Sequence, residues 1–442
     1  MKYHNFHVLE RDGDFIIINP RSFTWIRTSG IGWVLFQSFV EGETGTHVVH
    51  RLGISTRDVE EFRDYLYQEG FLPNEQSGDI APRPDYENTP IGCTILLTNR
   101  CQMNCKHCFY ASGNLFRKED ELSTAQFMRI IGRLAEAGIR YIAFTGGEPL
   151  LRRDIWQLMS FALDKGLKIH LLTNGLLLSH QKAEWLAEHG VQIQISLDGS
   201  TPMTYNNIRG FGFDRVIRNI EMLADAGCHV AVSIVPMKEN LDEIPDIIEF
   251  ASSMGVRTFH LSLLERSGRA EQIYQEVRPS DEELVHLCKH LYETYYGSGA
   301  SKIELPFLDV MIAKLYNPPN RHACKIGREV IAISWDGNLY PCSGLVDERH
   351  KIGSLLSSDL MELYYSPRMN YVREQTMTHR IEKCRDCPFI LPCLGGCRSK
   401  AYVLDKRLDT PDPYCGFLKE MWTYLLWKIS EIQIAERDEF EK

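Results

Sequence analysis

The chain has 442 residues, 44% of them hydrophobic, and a formal net charge of −10. A chain this long buries a large core and favours roughly two to four structural units, while an acidic balance without a basic run argues against nucleic acid as a partner. No run of eighteen or so apolar residues is present and the Met1-Lys-Tyr-His-Asn-Phe start lacks an apolar signal segment, so the expectation is a cytoplasmic protein with no membrane span. Thirteen cysteines in a chain of this size, at C-x2-C and C-x3-C spacings, read as metal ligands rather than as a secreted disulfide framework.

The first 73 residues read as a small module. Phe6–Glu10 and Phe15–Asn19 flank Asp12-Gly13, a hairpin signal, and a helical pattern follows from about Gly30 to Phe39. A second helix is expected from Ser55, with Asp58, Glu60 and Glu61 in its early turns, Val59, Phe62 and Leu66 at helical spacing, and Gly70 as its stop. Strands with small helices point to a winged-helix-like domain. Residues 74–90 are polar and carry three prolines, the composition of a semi-rigid linker.

Over 91–270, short apolar runs alternate with helical patterns: Cys93–Leu97, Tyr141–Thr145, Lys168–Leu172, Val191–Leu197, His229–Val235 and Thr258–Leu263. Six β/α units imply a parallel sheet, an α/β partial (β/α)6 barrel whose functional groups gather at the C-terminal ends of the strands. Four motifs fall at such ends. They are Cys101-x3-Cys105-x2-Cys108 after the first strand, Gly146-Gly147-Glu148-Pro149 after the second, Thr173-Asn174-Gly175 after the third, and Ser196-Leu197-Asp198-Gly199 after the fourth. Residues 271–320 read as a helical connection. A second cysteine array, Cys324, Cys342, Cys384, Cys387, Cys393, Cys397 and Cys415, occupies 321–442. Phe417, Met421, Leu425, Ile429 and Ile432 then mark an amphipathic terminal helix, with Lys419, Glu420, Lys428 and Glu431 on its other faces.

Three thiolates leave one iron of a [4Fe–4S] cluster without a protein ligand, free to chelate an amine and a carboxylate. Zinc would ask for four converging ligands and would leave the Gly-Gly-Glu-Pro turn without a role. The triad Cys101, Cys105, Cys108 in its place after the first strand resembles the signature of the radical S-adenosylmethionine (SAM) superfamily. The resemblance implies a SAM-bound cluster that generates a 5′-deoxyadenosyl radical for hydrogen abstraction. It also implies that Gly146, Gly147, Glu148 and Pro149 hold the SAM amino group, with Glu148 as acceptor. Ser196, Asp198 and Arg209 match positions that reach the ribose or carboxylate. His107 stands where an aromatic residue packs on adenine in that family, and Phe109 or Tyr110 can share that task.

The second array resembles, cysteine for cysteine, the SPASM extension of these enzymes, which carries two auxiliary clusters. By that resemblance Cys384, Cys387, Cys393 and Cys415 hold the distal one, and Cys324, Cys342 and Cys397 the one nearer the barrel. Three [4Fe–4S] clusters have two more irons than the arrays have thiolates, so one iron is left for SAM and one for a substrate thiolate, His322 or water. Cys93, Cys228 and Cys288 remain and read as packing residues. The N-terminal module is similar to the leader-recognition domains fused to maturases of ribosomally made peptides, which bind a leader as an added strand.

These resemblances imply a radical SAM maturase that installs a cross-link, a thioether foremost, on a precursor peptide carrying a leader, served by a reducing partner such as flavodoxin or ferredoxin. Carbon–carbon cross-linking, epimerisation, sulfatase-type maturation and a non-catalytic iron–sulfur electron carrier are the competing readings.

Overall fold

The computed structural model describes residues 2–72, 90–114, 121–297, 301–319 and 322–440. The expected linker over 74–90 lies outside the described residues except for its last position. At the N-terminus, β1 (Lys2–Tyr3), β2 (Phe6–Arg11), β3 (Asp14–Ile18) and β4 (Trp25–Thr28) form an antiparallel sheet in that order. Asp12 and Gly13 both take positive φ, 55° and 85°, which suits the two-residue turn joining twisted strands, and Arg11 faces Asp14 across it. Helices Gly30–Val40, Gly45–Leu52 and Thr56–Gln68 cover this sheet, with Phe36, Val48, Val59 and Leu66 fully buried beneath them. Ser55 caps the third helix by accepting from the Asp58 N–H at 3.1 Å. β1, β4 and the Gly45–Leu52 helix, which Gly53 closes at φ 68°, are additions to the elements expected from the sequence.

The expected strands appear as β5 (Gly92–Thr98), β6 (Tyr141–Gly146), β7 (Lys168–Thr173), β8 (Gln192–Ser196), β9 (Val230–Ile234) and β10 (Thr258–Leu261). All are parallel and lie side by side in chain order. Their residues Ile95, Phe144, Leu171, Ile195, Val232 and Phe259 are inaccessible to solvent and belong to one continuous core with the crossing helices. Helix Thr124–Glu136 shows how the pattern works: Phe127, Ile130, Ile131 and Leu134 recur at helical spacing on its buried face, and Ser123 with Gln126 closes a capping box at its start.

The sheet does not end at the barrel. β11 (Val330–Ile333) pairs in parallel with β5, β12 (Asn338–Tyr340) pairs antiparallel with β11, and β13 (Gly353–Ser354) with β12. The cysteine-rich C-terminal region therefore continues the barrel's own sheet into nine strands and covers the edge that β5 would present. Helices Ala270–Val277, Asp281–Tyr295 and Pro306–Tyr316 form the connection between them.

The terminal helix runs over Cys415–Phe440 and buries Phe417, Met421, Leu425 and Ile429 as the stripe predicts, but Ile432 is 49% exposed and leaves the stripe. Its face carries the N-terminal sheet. The Arg11 and Arg27 guanidiniums sit 4.4 and 5.3 Å from the Trp427 ring centroid, and Arg11 also pairs with Glu431. The Trp25 indole donates to the Leu315 carbonyl at 3.3 Å. Among the described residues no helix is long and apolar enough to cross a membrane.

Candidate functional site

The C-terminal ends of β5 to β10 open on a cavity of about 290 Å3. Its wall includes Cys101, Cys105 and Cys108, with Gly146, Gly147, Ser196 and Arg209 from the later motifs. The triad loop is held at both flanks. Arg269 donates to the Cys105 carbonyl and the Ser112 carbonyl, each at 2.7 Å, and the Lys106 N–H donates to the Ile208 carbonyl at 2.9 Å. Two side chains donate to the sulfurs themselves: Asn174 Nδ2 to Cys101 at 3.9 Å and an Arg209 guanidinium N–H to Cys105 at 3.8 Å.

The two glycines owe their place to backbone packing. Gly146 has φ +137°, and a Cβ there would stand 2.2 Å from the Thr98 carbonyl oxygen; on Gly147 it would stand 2.2 Å from that of Arg100. The Gly147 and Glu148 N–H groups donate to those same two carbonyls, at 2.7 and 2.8 Å. The turn is thus stitched to the segment that enters the cysteine loop, which fixes one motif against the other.

Glu148, expected as an acceptor for the SAM amino group, has its carboxyl anchored behind the Gly146-Gly147 turn by protein donors. Its side chain is inaccessible and forms no part of the cavity wall. Oε1 accepts from the Thr173 hydroxyl at 2.7 Å and the Leu150 N–H at 3.0 Å, and Oε2 from the Asn174 N–H at 2.8 Å. Burial pushes its carboxyl up to about 7 against those three donors. Pro149 likewise opens a short 3-10 turn behind the wall.

Asp198 is also behind the wall. Its Oδ2 accepts from Arg209 Nε at 2.6 Å and its Oδ1 from the Val235 N–H at 2.7 Å, so it positions Arg209. Ser196 and Arg209 do face the cavity, as does His107. Burial pulls the His107 imidazole down to about 4, with Asp198 opposing, and its Nε2 stands 3.4 Å from Asp198 Oδ2. Asn174, from the third of the four motifs, is on the wall, and sequence reading overlooked Gln194, Ser233, Ser262 and Glu265 there. A polar residue at the C-terminal end of a parallel strand is the signal that finds them.

The second array divides into two groups. Cys384, Cys387, Cys393 and Cys415 surround one pocket walled by Phe389, Ile390, Leu418 and Trp422. Cys324 and Cys342 pack on Ile326, Leu345, Val372 and Leu408, and the charges of Cys397 and Cys324 both bear on Cys342. Cys397 joins this group through its electrostatic contact with Cys342 and Cys324, and the Ser399 hydroxyl lies 3.0 Å from its sulfur. Of the leftover cysteines, Cys93 and Cys288 are buried and Cys228 is half-buried, donating to the Ala183 carbonyl at 3.3 Å.

These donor sets suit clusters better than single ions. Among the described residues no three His, Cys, Asp or Glu side chains converge on one ion position, whereas a cubane offers each thiolate its own iron. Burial raises the Cys101 and Cys384 thiols to about 11 and those of Cys342 and Cys393 to about 12. Iron must displace those protons on binding.

Comparison with known proteins agrees with this geometry. Residues 95–251 match the radical SAM superfamily, and residues 324–388 match SPASM, an iron–sulfur cluster-binding domain. Mycofactocin maturase of Mycobacterium tuberculosis is 30% identical over 331 residues, covering 74% of this chain and 83% of that protein. An AdoMet-dependent heme synthase of Oleidesulfovibrio alaskensis is 27% identical (76% and 90% covered), and the PqqA peptide cyclase of Rhizobium meliloti 26% (74% and 87%). The fold of Streptococcus suis SuiB superposes with a TM-score of 0.61 at 17% identity, covering 93% of this chain and 99% of SuiB. Such proteins require SAM and a [4Fe–4S] cluster, and the SPASM domain binds further clusters. The chain belongs to the radical SAM superfamily, among the members that carry a SPASM domain and include mycofactocin maturase.

Proposed function

We propose that this chain matures a ribosomally made precursor peptide by installing an intramolecular cross-link, foremost a thioether. Cys101, Cys105 and Cys108 hold the SAM-binding cluster; Cys324, Cys342 and Cys397 the proximal auxiliary cluster; Cys384, Cys387, Cys393 and Cys415 the distal one. When bound, the first cluster supplies the electron that cleaves SAM and so the radical that takes a hydrogen from carbon. The protein's part is to shape a cavity that excludes water and to hold one C–H bond within reach.

The observation that carries this reading is that Glu265 belongs to the triad's cavity wall and, through Lys400, also meets the proximal cysteine group. Its Oε1 is 3.7 Å from Lys400 Nζ, and its charge bears on Cys342 and Cys397. A peptide in that cavity would lie between Cys101, Cys105 and Cys108 and the proximal group Cys324, Cys342 and Cys397, whose three thiolates would leave one iron of their cluster open to a substrate thiolate. In the same reading residues 1–73 recognise the leader, 91–270 generate the radical and 321–442 carry the auxiliary clusters. β1 and β4 are the outer strands of the N-terminal sheet, where a leader strand would add. A flavodoxin or ferredoxin supplies electrons, in the cytoplasm.

The identity to PqqA peptide cyclase favours a second reading, another ring closure of a peptide by the same radical chemistry. Anaerobic incubation of the cluster-loaded protein with SAM, dithionite and a candidate precursor peptide, sought among short open reading frames beside its gene, distinguishes them. A loss of about 2 Da with 5′-deoxyadenosine marks an oxidative cross-link, and fragmentation locates the bond. Alanine at Cys101, Cys105 and Cys108 together should abolish SAM cleavage while leaving about eight irons per chain. Retained cleavage would overturn the reading.

A further inference from the structure

Glu148 is joined to Cys101 through one residue. The Asn174 backbone N–H donates to Glu148 Oε2 at 2.8 Å, and the Asn174 side-chain Nδ2 donates to the Cys101 sulfur at 3.9 Å. The amide is held in that orientation. Its Oδ1 accepts from the Leu176 backbone N–H at 3.0 Å, a group that can only donate, and from Gln102 Nε2 at 3.3 Å. Turning the amide over would set its NH2 against the Leu176 N–H.

The turn that presents Asn174 is clamped by the same carboxylate. Glu148 Oε1 takes the Thr173 hydroxyl at 2.7 Å, and Thr173 Oγ1 in turn accepts from the Gly175 N–H at 3.1 Å. Thr173, Asn174 and Gly175 are therefore one unit fixed to a side chain that never reaches the cavity.

We infer that Glu148 is a positioning residue: it holds the Asn174 amide on the Cys101 sulfur, and that hydrogen bond raises the reduction potential of the radical-generating cluster. The inference rests on the proposed reading of Cys101 as a ligand of that cluster. The sign follows from charge. Reduction adds one electron, so the reduced cluster places more negative charge on its thiolates, and an N–H donor stabilises that state more than the oxidised one. Removing the donor makes the cluster harder to reduce.

The test is an anaerobic redox titration of the cluster-loaded full chain, without SAM or peptide, followed by electron paramagnetic resonance. The C101A/C105A/C108A variant supplies the signals of the auxiliary clusters for subtraction. Asn174→Ala removes the donor. Glu148→Gln keeps size and one acceptor, but its NH2 replaces an oxygen that faces an N–H. Each should shift the midpoint to more negative potential, with a roughly fivefold lower reduced-to-oxidised ratio at a fixed poise, the size expected of one hydrogen bond. The auxiliary signals should stay in place. An unmoved midpoint in Asn174→Ala overturns the inference. An unmoved midpoint in Glu148→Gln overturns the part assigned to Glu148, and should that variant lose its clusters, Asn174→Ala decides the rest. If the triple variant has the same signals as the parent, the ligand reading fails and the inference falls with it.

Discussion

The Arg209 guanidinium stands 2.6 Å from the Asp198 carboxylate and 3.8 Å from the Cys105 sulfur, with Asp198 wholly buried. One cation thus serves an anion behind the cavity and a thiol on its wall. Asp198→Ala would leave that cation buried and uncompensated, and the Val235 N–H without its acceptor. The expected cost is about 3–5 kcal/mol, read by urea denaturation under anaerobic conditions. A loss under about 1 kcal/mol would mean that solvent reaches Arg209 and that the pair does not position it.

Glu148 gives stability a distinct pH dependence. Its folded carboxyl is raised from 4.5 to about 7, chiefly by burial, so the folded chain binds more protons than the unfolded chain between those values. The sign follows: its contribution is fully present below pH 4.5 and is lost as pH rises through about 7, by about 3 kcal/mol in total. Glu148→Gln has no proton to lose. Measured from pH 5.5 to 8, the stability difference between variant and parent should move in the variant's favour as pH rises, and a constant difference would show that Glu148 titrates normally.

The cysteine groups were legible because ligand chemistry ties residue type to spacing, and the six strands because buried parallel strands are short apolar runs bounded by turns. β11 was not assigned as a strand at all. Val330–Ile333 is a four-residue strand whose partner lies over two hundred residues earlier, and a non-local pairing of that kind leaves no periodic signal. Glu148 and Asp198 show a second limit. Sequence places a carboxylate at a strand end, but whether it faces the cavity or the backbone behind it depends on which donors surround it, here Asn174 and Thr173 for one and Arg209 and Val235 for the other.

The β5–β11 seam has a measurable strength. Ile331 faces Cys93 and Ile333 faces Ile95 in parallel register, and both isoleucines are buried. Ile333→Ala should cost about 2–4 kcal/mol, the range for truncating a buried aliphatic side chain, and chemical denaturation monitored by tryptophan fluorescence reads it. A chain ended at residue 320 would expose the β5 edge, and it should self-associate in size-exclusion chromatography. A monomeric, stable fragment would show that the barrel does not need the continuation of its sheet.

Glu265 has the arrangement of a group that meets the substrate. Its Oε2 is buried with no hydrogen-bond partner, while Lys400 stands near Oε1, and both residues lie where the barrel meets the C-terminal cysteines. Burial raises its carboxyl, with Lys400 opposing, so the ion pair is what keeps an acceptor directed at the cavity. A donor on the bound peptide satisfies that oxygen, and hydrogen bonds to charged groups contribute about 1.5–3 kcal/mol. Glu265→Gln should therefore raise the KM for the peptide about tenfold or more. Peptide-free formation of 5′-deoxyadenosine should be unchanged, because the resemblance to the radical SAM superfamily gives SAM to Ser196 and Arg209 and not to Glu265. A variant that loses peptide-free cleavage with its peptide KM intact would instead assign Glu265 to SAM, and the peptide would then have to be held by residues nearer Cys324.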